Sequence, residues 1–319
     1  MIVHNRPEYE KRVNRVLDHI REHLADELTL VDLASVAAFS PFHFHRVFTA
    51  ITGETLFGFI QRVRLERAAV ALSSHRDRSV LAVALDHGFS SAAAFARAFR
   101  GRFGMSATEW RQGGARRWHA RQARANERLE RNLRQPNRKR GKAAERAHGD
   151  TARKRSMEVA MNVRVTELPA HHVAYMRYVG PYGAHGIPDL WKRFRKWMET
   201  HGLMSDETVT LGVAYDDPDV TAPDRCRYDA CVVVPADFKA DRWVNVVEVP
   251  GGKFAVTDFA GHAREIRGAW EAFYRSWLPG SGHEPDDRPC FERYRVRNIA
   301  VEGKPDAFHC ELCMPVRPL

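Results

Sequence analysis

The chain has 319 residues, 44% hydrophobic and 28% charged, which is a globular balance and length enough for two domains. No segment approaches the ~18 consecutive apolar residues of a membrane span, Met1-Ile2-Val3-His4-Asn5-Arg6 lacks the apolar run of a secretory signal, and five cysteines are no disulfide framework, so a reducing cytoplasm is expected. The net charge of +10 is uneven, because residues 1–110 and 156–319 are near neutral and acidic while 111–155 carry the whole excess.

Residues 9–110 read as helix. Tyr9 to Ala25 is amphipathic, with Val13, Val16, Leu17, Ile20 and Leu24 on one face. Two copies of one pattern follow. The first runs Phe39-Ser40-Pro41-Phe42-His43-Phe44-His45-Arg46-Val47-Phe48 to Gly53. The second runs Phe89-Ser90-Ser91-Ala92-Ala93-Ala94-Phe95-Ala96-Arg97-Ala98-Phe99 to Gly104. Each follows a short helix opened by a hydroxyl cap, Thr29 or Ser79. Ser40-Pro41 is an N-cap followed by a first-turn proline, and Gly88 supplies an easy left-handed turn.

A short helix, a tight turn and a second capped helix make a helix-turn-helix. Phe44 and Phe48, four apart, must face the core, which turns Phe42, His45 and Arg46 outward. Between the copies, Thr55 to about Ser74 reads as one helix of about 30 Å, a strut able to set two recognition helices roughly one DNA turn apart.

These residues resemble the AraC/XylS family over about 9–111, with Asp86-His87-Gly88-Phe89-Ser90-Ser91, Phe103-Gly104-Met105-Ser106 and Trp110-Arg111 matching its signature region. Gly104-Met105-Ser106-Ala107 departs from the family's usual Gly-x-Ser-Pro. The resemblance implies double-stranded DNA as partner, with RNA polymerase a further candidate. It implies base-edge readers at Phe42, His45 and Arg46 in the first unit and at Ala92, Ala93 and Arg97 in the second. Arg46 and Arg97 could instead clamp a phosphate or an internal carboxylate. The alanines can only touch a thymine methyl or stand back, so the second unit is expected to read less sequence directly.

Gly113-Gly114 reads as the end of this domain. Arg111 to Arg155 follows, Arg-rich and poor in apolar residues, broken by Pro136-Asn137 and Gly141. Residues 115–133 could be helical. The belt either contacts a polyanion or is a solvated linker.

From Val163 the texture is mixed. Val163 to Leu168 alternates like a half-buried strand, as does Tyr228 to Val234 in part. Tyr175 to Gly180 is a strand ending in glycine before a helix with Trp191, Phe194 and Trp197. Ala255 to Gly261 repeats this before a helix with Trp270, Phe273, Tyr274 and Trp277. The repetition suggests duplicated strand-helix-strand modules in an α+β domain, its curved sheet backed by two helices.

The ordered set Leu168-Pro169, Val179-Gly180-Pro181-Tyr182, Gly212 through Pro218, Cys226-Arg227-Tyr228-Asp229, Pro250-Gly251-Gly252-Lys253, Trp277 through Gly282, Pro289 through Tyr294 and Met314-Pro315-Val316 resembles the GyrI-like effector-binding domain. That implies a pocket for a small, apolar or cationic effector, with the family's pocket Glu matching Glu292. In Pro289 through Val296 the strand period sets Glu292, Tyr294 and Val296 on one face, and Phe291, Arg293 and Arg295 on the other, toward solvent. Expected ligand contacts are Glu292, Tyr294, Trp270, Phe273, Tyr182 and Tyr215, with an internal salt bridge from Glu292 to Arg177 or Arg227 as the alternative.

Gly-x-Ser-x-Gly, phosphate-loop and His-Glu-x-x-His motifs are absent from the sequence, so neither an enzyme nor a cofactor is expected. Cys310 and Cys313, three apart on a strand, point to opposite faces and cannot grip one metal. The expected architecture is a multidomain chain: an all-α double helix-turn-helix domain at 1–112, a basic linker at 113–158 and an α+β domain at 159–319. The expected function is ligand-sensing transcription regulation. The alternative is a second domain that hydrolyses a small reactive compound or binds a protein partner.

Overall fold

The computed structural model describes residues 6–75, 77–122, 161–182, 186–295, 299–301, 303 and 306–319. Helix α1 (Arg6–Glu22) buries Val13, Val16, Leu17 and Ile20, the stripe its periodicity predicts. The two repeats then fold alike. Helices α2 (Leu30–Val36) and α3 (Pro41–Thr52) are capped by Thr29 and Ser40, and α5 (Val80–Asp86) and α6 (Ala92–Phe103) by Ser79 and Ser91. In each cap the hydroxyl accepts a first-turn backbone N–H. Gly53 and Gly104 end α3 and α6 in the left-handed conformation, at φ 72° and 70°.

The turn inside each unit also needs a left-handed residue. Gly88 supplies it in the second, at φ 75°, and Ala38 takes the matching place in the first, at φ 54°. An alanine there has its Cβ crowded against the backbone.

Helix α4 (Leu56–Ser74) serves both units. Its first half gives Leu56, Phe59, Ile60 and Val63 to the core around Phe44 and Phe48. Its second half gives Leu65, Ala68, Ala69 and Leu72 to the core around Phe95 and Phe99. Midway, Arg64 donates to the carbonyls of Leu24, Asp26 and Gly88, tying the end of α1 to the turn of the second unit.

The expectation that Gly113-Gly114 closes this domain is corrected. The chain passes through a π-type turn there and continues helically over 115–122. Trp118 is buried, 5.5 Å from the Phe103 ring and 5.6 Å from Trp110. Its large apolar surface draws the following turns onto the helical core. The rest of the expected linker, including Pro136-Asn137 and Gly141, lies outside the described residues.

The second domain is one antiparallel sheet with two helices. Its first module comprises β1 (Val163–Leu168), β2 (His171–Val179), α7 (Gly186–Thr200), β3 (Val209–Ala214) and β4 (Arg227–Val233). Its second comprises β5 (Asn245–Val249), β6 (Gly252–Gly261), α8 (Ile266–Ala272), the short β7 (His283–Pro285), β8 (Cys290–Arg295) and β9 (Phe308–Pro318). The order β1-β6-β9-β8-β3-β4-β2-β5, with β7 beside the end of β9, is symmetric about the β8–β3 pair. The expected duplication is therefore visible, and each module's first strand lies on the other module's edge.

One sheet face packs under α7 and α8, through Phe194, Trp197, Tyr228 and Val232 and through Phe273, Tyr294 and Leu312. The other face carries Tyr175, Leu211, Val213, Phe254 and Phe291. The expectation that Phe291, Arg293 and Arg295 face solvent is thus corrected in part. Phe291 is buried against Phe254, Arg293 pairs with Glu311 at 2.7 Å, and only Arg295 is exposed.

The helical domain meets this second face. Asp18 of α1 binds Arg177 at 2.8 Å and accepts the Tyr175 hydroxyl. Arg21 lies over the Tyr215 ring, Glu66 accepts the Thr221 hydroxyl at 3.0 Å, and Arg225 binds Glu54 at 2.7 Å. Val220 reaches into the core of the second helix-turn-helix unit.

Candidate DNA-reading and ligand-binding sites

Helix α3 buries Phe44 and Phe48, which rotates Phe42, His45 and Arg46 to solvent. Helix α6 buries Phe95 and Phe99, which does the same for Ala92, Ala93 and Arg97. All six expected base readers are exposed, and Phe42 keeps 69% of its surface. The Arg46 guanidinium lies 5.7 Å over the Phe42 ring. Among the described residues neither Arg46 nor Arg97 is joined to a carboxylate, in contrast to Arg62 and Arg102, which share Glu66. Two first-turn faces stand clear of the protein, one bearing aromatic, imidazole and guanidinium groups and the other nearly bare methyls.

The second site forms on the helix-covered face of the central strands. Glu292 of β8 is partly buried. Its Oε2 accepts the Tyr294 hydroxyl at 2.7 Å and the Tyr228 hydroxyl at 2.9 Å, and its Oε1 faces the Trp270 indole N–H at 3.4 Å. Trp191 of α7 donates its indole N–H to the Tyr228 hydroxyl at 3.2 Å and packs edge-on against Tyr294, 5.5 Å away. Every donor to the carboxylate is neutral.

Burial pushes the Glu292 carboxyl above its ordinary range, and the hydroxyl and indole hydrogen bonds only partly offset this. Burial and the neighbouring carboxylate hold the Tyr228 and Tyr294 hydroxyls well above theirs. The alternative partners for Glu292 are engaged elsewhere, Arg177 with Asp229 at 2.7 Å and Arg227 with Asp216 at 2.6 Å, both on the opposite sheet face.

Of the expected ligand contacts, Glu292, Tyr294 and Trp270 come together. Phe273 is fully buried behind Trp270, stacked with it at 6.0 Å. Tyr182 stands beside Tyr228, but its hydroxyl donates to the Arg227 carbonyl at 2.6 Å and accepts the Asp216 N–H, fastening β4 to the end of β3. Tyr215 is not part of the group. It follows Leu211 and Val213 in the strand alternation onto the opposite face, beneath Arg21 and Arg177. Val296 lies outside the described residues.

Tyr228, Trp191 and Gly212 were missed. The signal for Gly212 is a glycine inside a strand, which marks a close approach. It pairs with Glu292 on one side and Ala230 on the other. A Cβ there would collide with the Tyr228 hydroxyl and stand 2.8 Å from Glu292 Oε2. The Tyr228–Glu292 hydrogen bond occupies the space a side chain would fill. On β9, Cys310 packs on the helix side and Cys313 on the other, as strand alternation requires.

Comparison with known proteins agrees with both sites. Residues 161–317 match the GyrI-like small molecule binding domain, and residues 33–113 match a helix-turn-helix domain. The SPbeta prophage protein YosT of Bacillus subtilis, which carries a transcriptional-regulator name, is 32% identical over 157 residues, 49% of this chain and 100% of its own length. A DNA gyrase inhibitor of Escherichia fergusonii is 30% identical over 161 residues, 50% of this chain and 99% of its own.

Among solved structures, the DNA-binding domain of AdpA in complex with a target DNA matches at 29% identity and a TM-score of 0.32, over 34% of this chain and 96% of that one. A DNA-binding transcriptional dual regulator from Escherichia coli K-12 matches at 26% identity and a TM-score of 0.30, over 32% and 96%. With its paired helix-turn-helix units ahead of that second domain, the chain belongs to the AraC-type transcription regulators that carry a carboxy-terminal GyrI-like small-molecule-binding domain.

Proposed function

We propose that this regulator senses a lipophilic cation at Glu292 and reads DNA chiefly through Phe42, His45 and Arg46. The observation that carries the ligand reading is a partly buried carboxylate held only by neutral donors among aromatic rings. Such a group lacks a countercharge. A flat or bulky cation supplies one by charge pairing and by contact with the faces of Trp191, Trp270 and Tyr294. The site is read as binding its ligand without turnover, in keeping with a regulator.

Calorimetry of the full chain with tetraphenylphosphonium, wild type against Glu292→Gln, tests this. The expected result is wild-type binding that weakens more than tenfold in the folded variant, with the cation recovered unchanged. Equal binding by both proteins would remove Glu292 from the site.

A further inference from the structure

The residues that flank Tyr228 on β4 hold the DNA-binding domain. On the helix-covered face, Tyr228 donates to Glu292. Arg227, one residue earlier, points through the sheet, binds Asp216 through two nitrogens at 2.8 and 2.6 Å, and sets its guanidinium 5.6 Å from the Phe59 ring of α4. Asp229, one residue later, is fully buried and takes Arg177 at 2.7 Å through each oxygen. The same Arg177 reaches Asp18 of α1 at 2.8 Å, and Asp18 also accepts the hydroxyl of Tyr175.

Strand alternation makes this unavoidable. A strand residue in the ligand site has both neighbours on the reverse face, and here that face carries the DNA-binding domain. Both neighbours are committed to charge-assisted, directional bonds, which tolerate little displacement.

We propose that β4 couples the two domains: a change at the Tyr228–Glu292 hydrogen bond alters the seating of α1 and α4 through Asp229–Arg177–Asp18 and through Arg227. The direction of regulation rests on the cation reading above, whereas the coupling itself does not. A ligand that takes Glu292 Oε2 deprives the Tyr228 hydroxyl of its acceptor. Gly212 beneath gives the ring no side chain to rest on, so β4 must adjust. The bound and free states then differ in the geometry offered to Asp18, which is the differential interaction a coupled equilibrium needs.

Two readouts on the full chain test this. In the first, no ligand is added, and hydrogen exchange of α1 and β4 is followed in wild type, Tyr228→Phe, Asp18→Asn and the double variant. Tyr228→Phe is expected to speed exchange in α1 at least threefold, and Asp18→Asn to do the same in β4. The double variant should show no more than the larger single effect. Wild-type α1 exchange in Tyr228→Phe, or simple addition in the double variant, overturns the proposal.

In the second readout, affinity for a duplex selected from a random pool by the full chain is measured with and without tetraphenylphosphonium. A wild-type change of fivefold or more should fall below twofold in Asp18→Asn while the cation still binds, and an undiminished change overturns the coupling. Tyr175→Phe, which removes only a hydroxyl from the same bridge, replaces Asp18→Asn should that variant not fold. Absence of cation binding to wild type would sink the cation reading alone, and the exchange readout would still decide the coupling.

Discussion

Glu292 is where a single residue's chemistry has the widest consequence. Its folded-state pKa is raised, so the folded protein holds the proton more tightly than the unfolded chain. The destabilisation is absent in acid, develops as pH rises past the ordinary carboxylate value, and is complete above the raised folded value. Glu292→Gln is therefore expected to melt above wild type at neutral pH and level with it in acid. Cation binding runs the opposite way: below the folded pKa, affinity should fall about tenfold per pH unit, and a flat profile between pH 4 and 8 would contradict this. Gly212→Ala should disrupt the same site by sterics, costing about 1–3 kcal/mol of stability through forced repacking and more than tenfold in tetraphenylphosphonium affinity. Unchanged binding in the folded variant would show that the Tyr228–Glu292 contact is dispensable. On the DNA side, Arg46→Ala should cost about 1–3 kcal/mol at a selected site and relax preference at one base pair. Loss shared equally by all sequences would make Arg46 a phosphate clamp, and Ala93→Ser should change binding little.

Among the elements, the helical units were the easier to read. Caps, phenylalanine pairs and terminal glycines act within a few residues of each other, so local sequence suffices for α2 through α6. The sheet strands were also legible, as was the placing of Glu292 with Tyr294, because alternation within one strand needs no partner. Tyr215 was misassigned and Tyr228 overlooked for one reason. Which faces of different strands coincide depends on register between β3, β4 and β8, and that is set by long-range pairing. The helical run past Gly113-Gly114 was obscured by its polar composition, since Trp118 is what anchors it. One element carries a testable imperfection. Ala38 sits at positive φ where the second unit has Gly88. Ala38→Gly should raise stability by about 1 kcal/mol, by relieving the left-handed strain less the glycine's added chain entropy, read as a higher midpoint in thermal or denaturant unfolding. A fall of similar size would show that the turn tolerates the alanine without strain.

For the whole molecule, the two domains are joined by polar bonds rather than a broad apolar seam, and this could not be read from either half alone. Asp18, Glu54 and Glu66 look like ordinary acidic members of amphipathic helices, yet each meets a residue of the second domain. Leaving Arg177 and Asp229 buried without Asp18 uncovers charge, which is why the interface is sensitive to single substitutions. The basic run at Arg138, Lys139 and Arg140 supplies a separate expectation: if it contacts phosphates, neutralising all three should flatten the salt dependence of DNA binding, whereas an unchanged slope would leave it a solvated linker. The most direct test of a chain that senses a cation in order to control DNA binding is the affinity of wild type and Glu292→Gln for one selected duplex, with and without saturating tetraphenylphosphonium. The account predicts that both proteins bind the duplex alike without the cation, and that only wild type changes affinity, by fivefold or more, when it is present. An equal change in both proteins, or none in wild type, would contradict it.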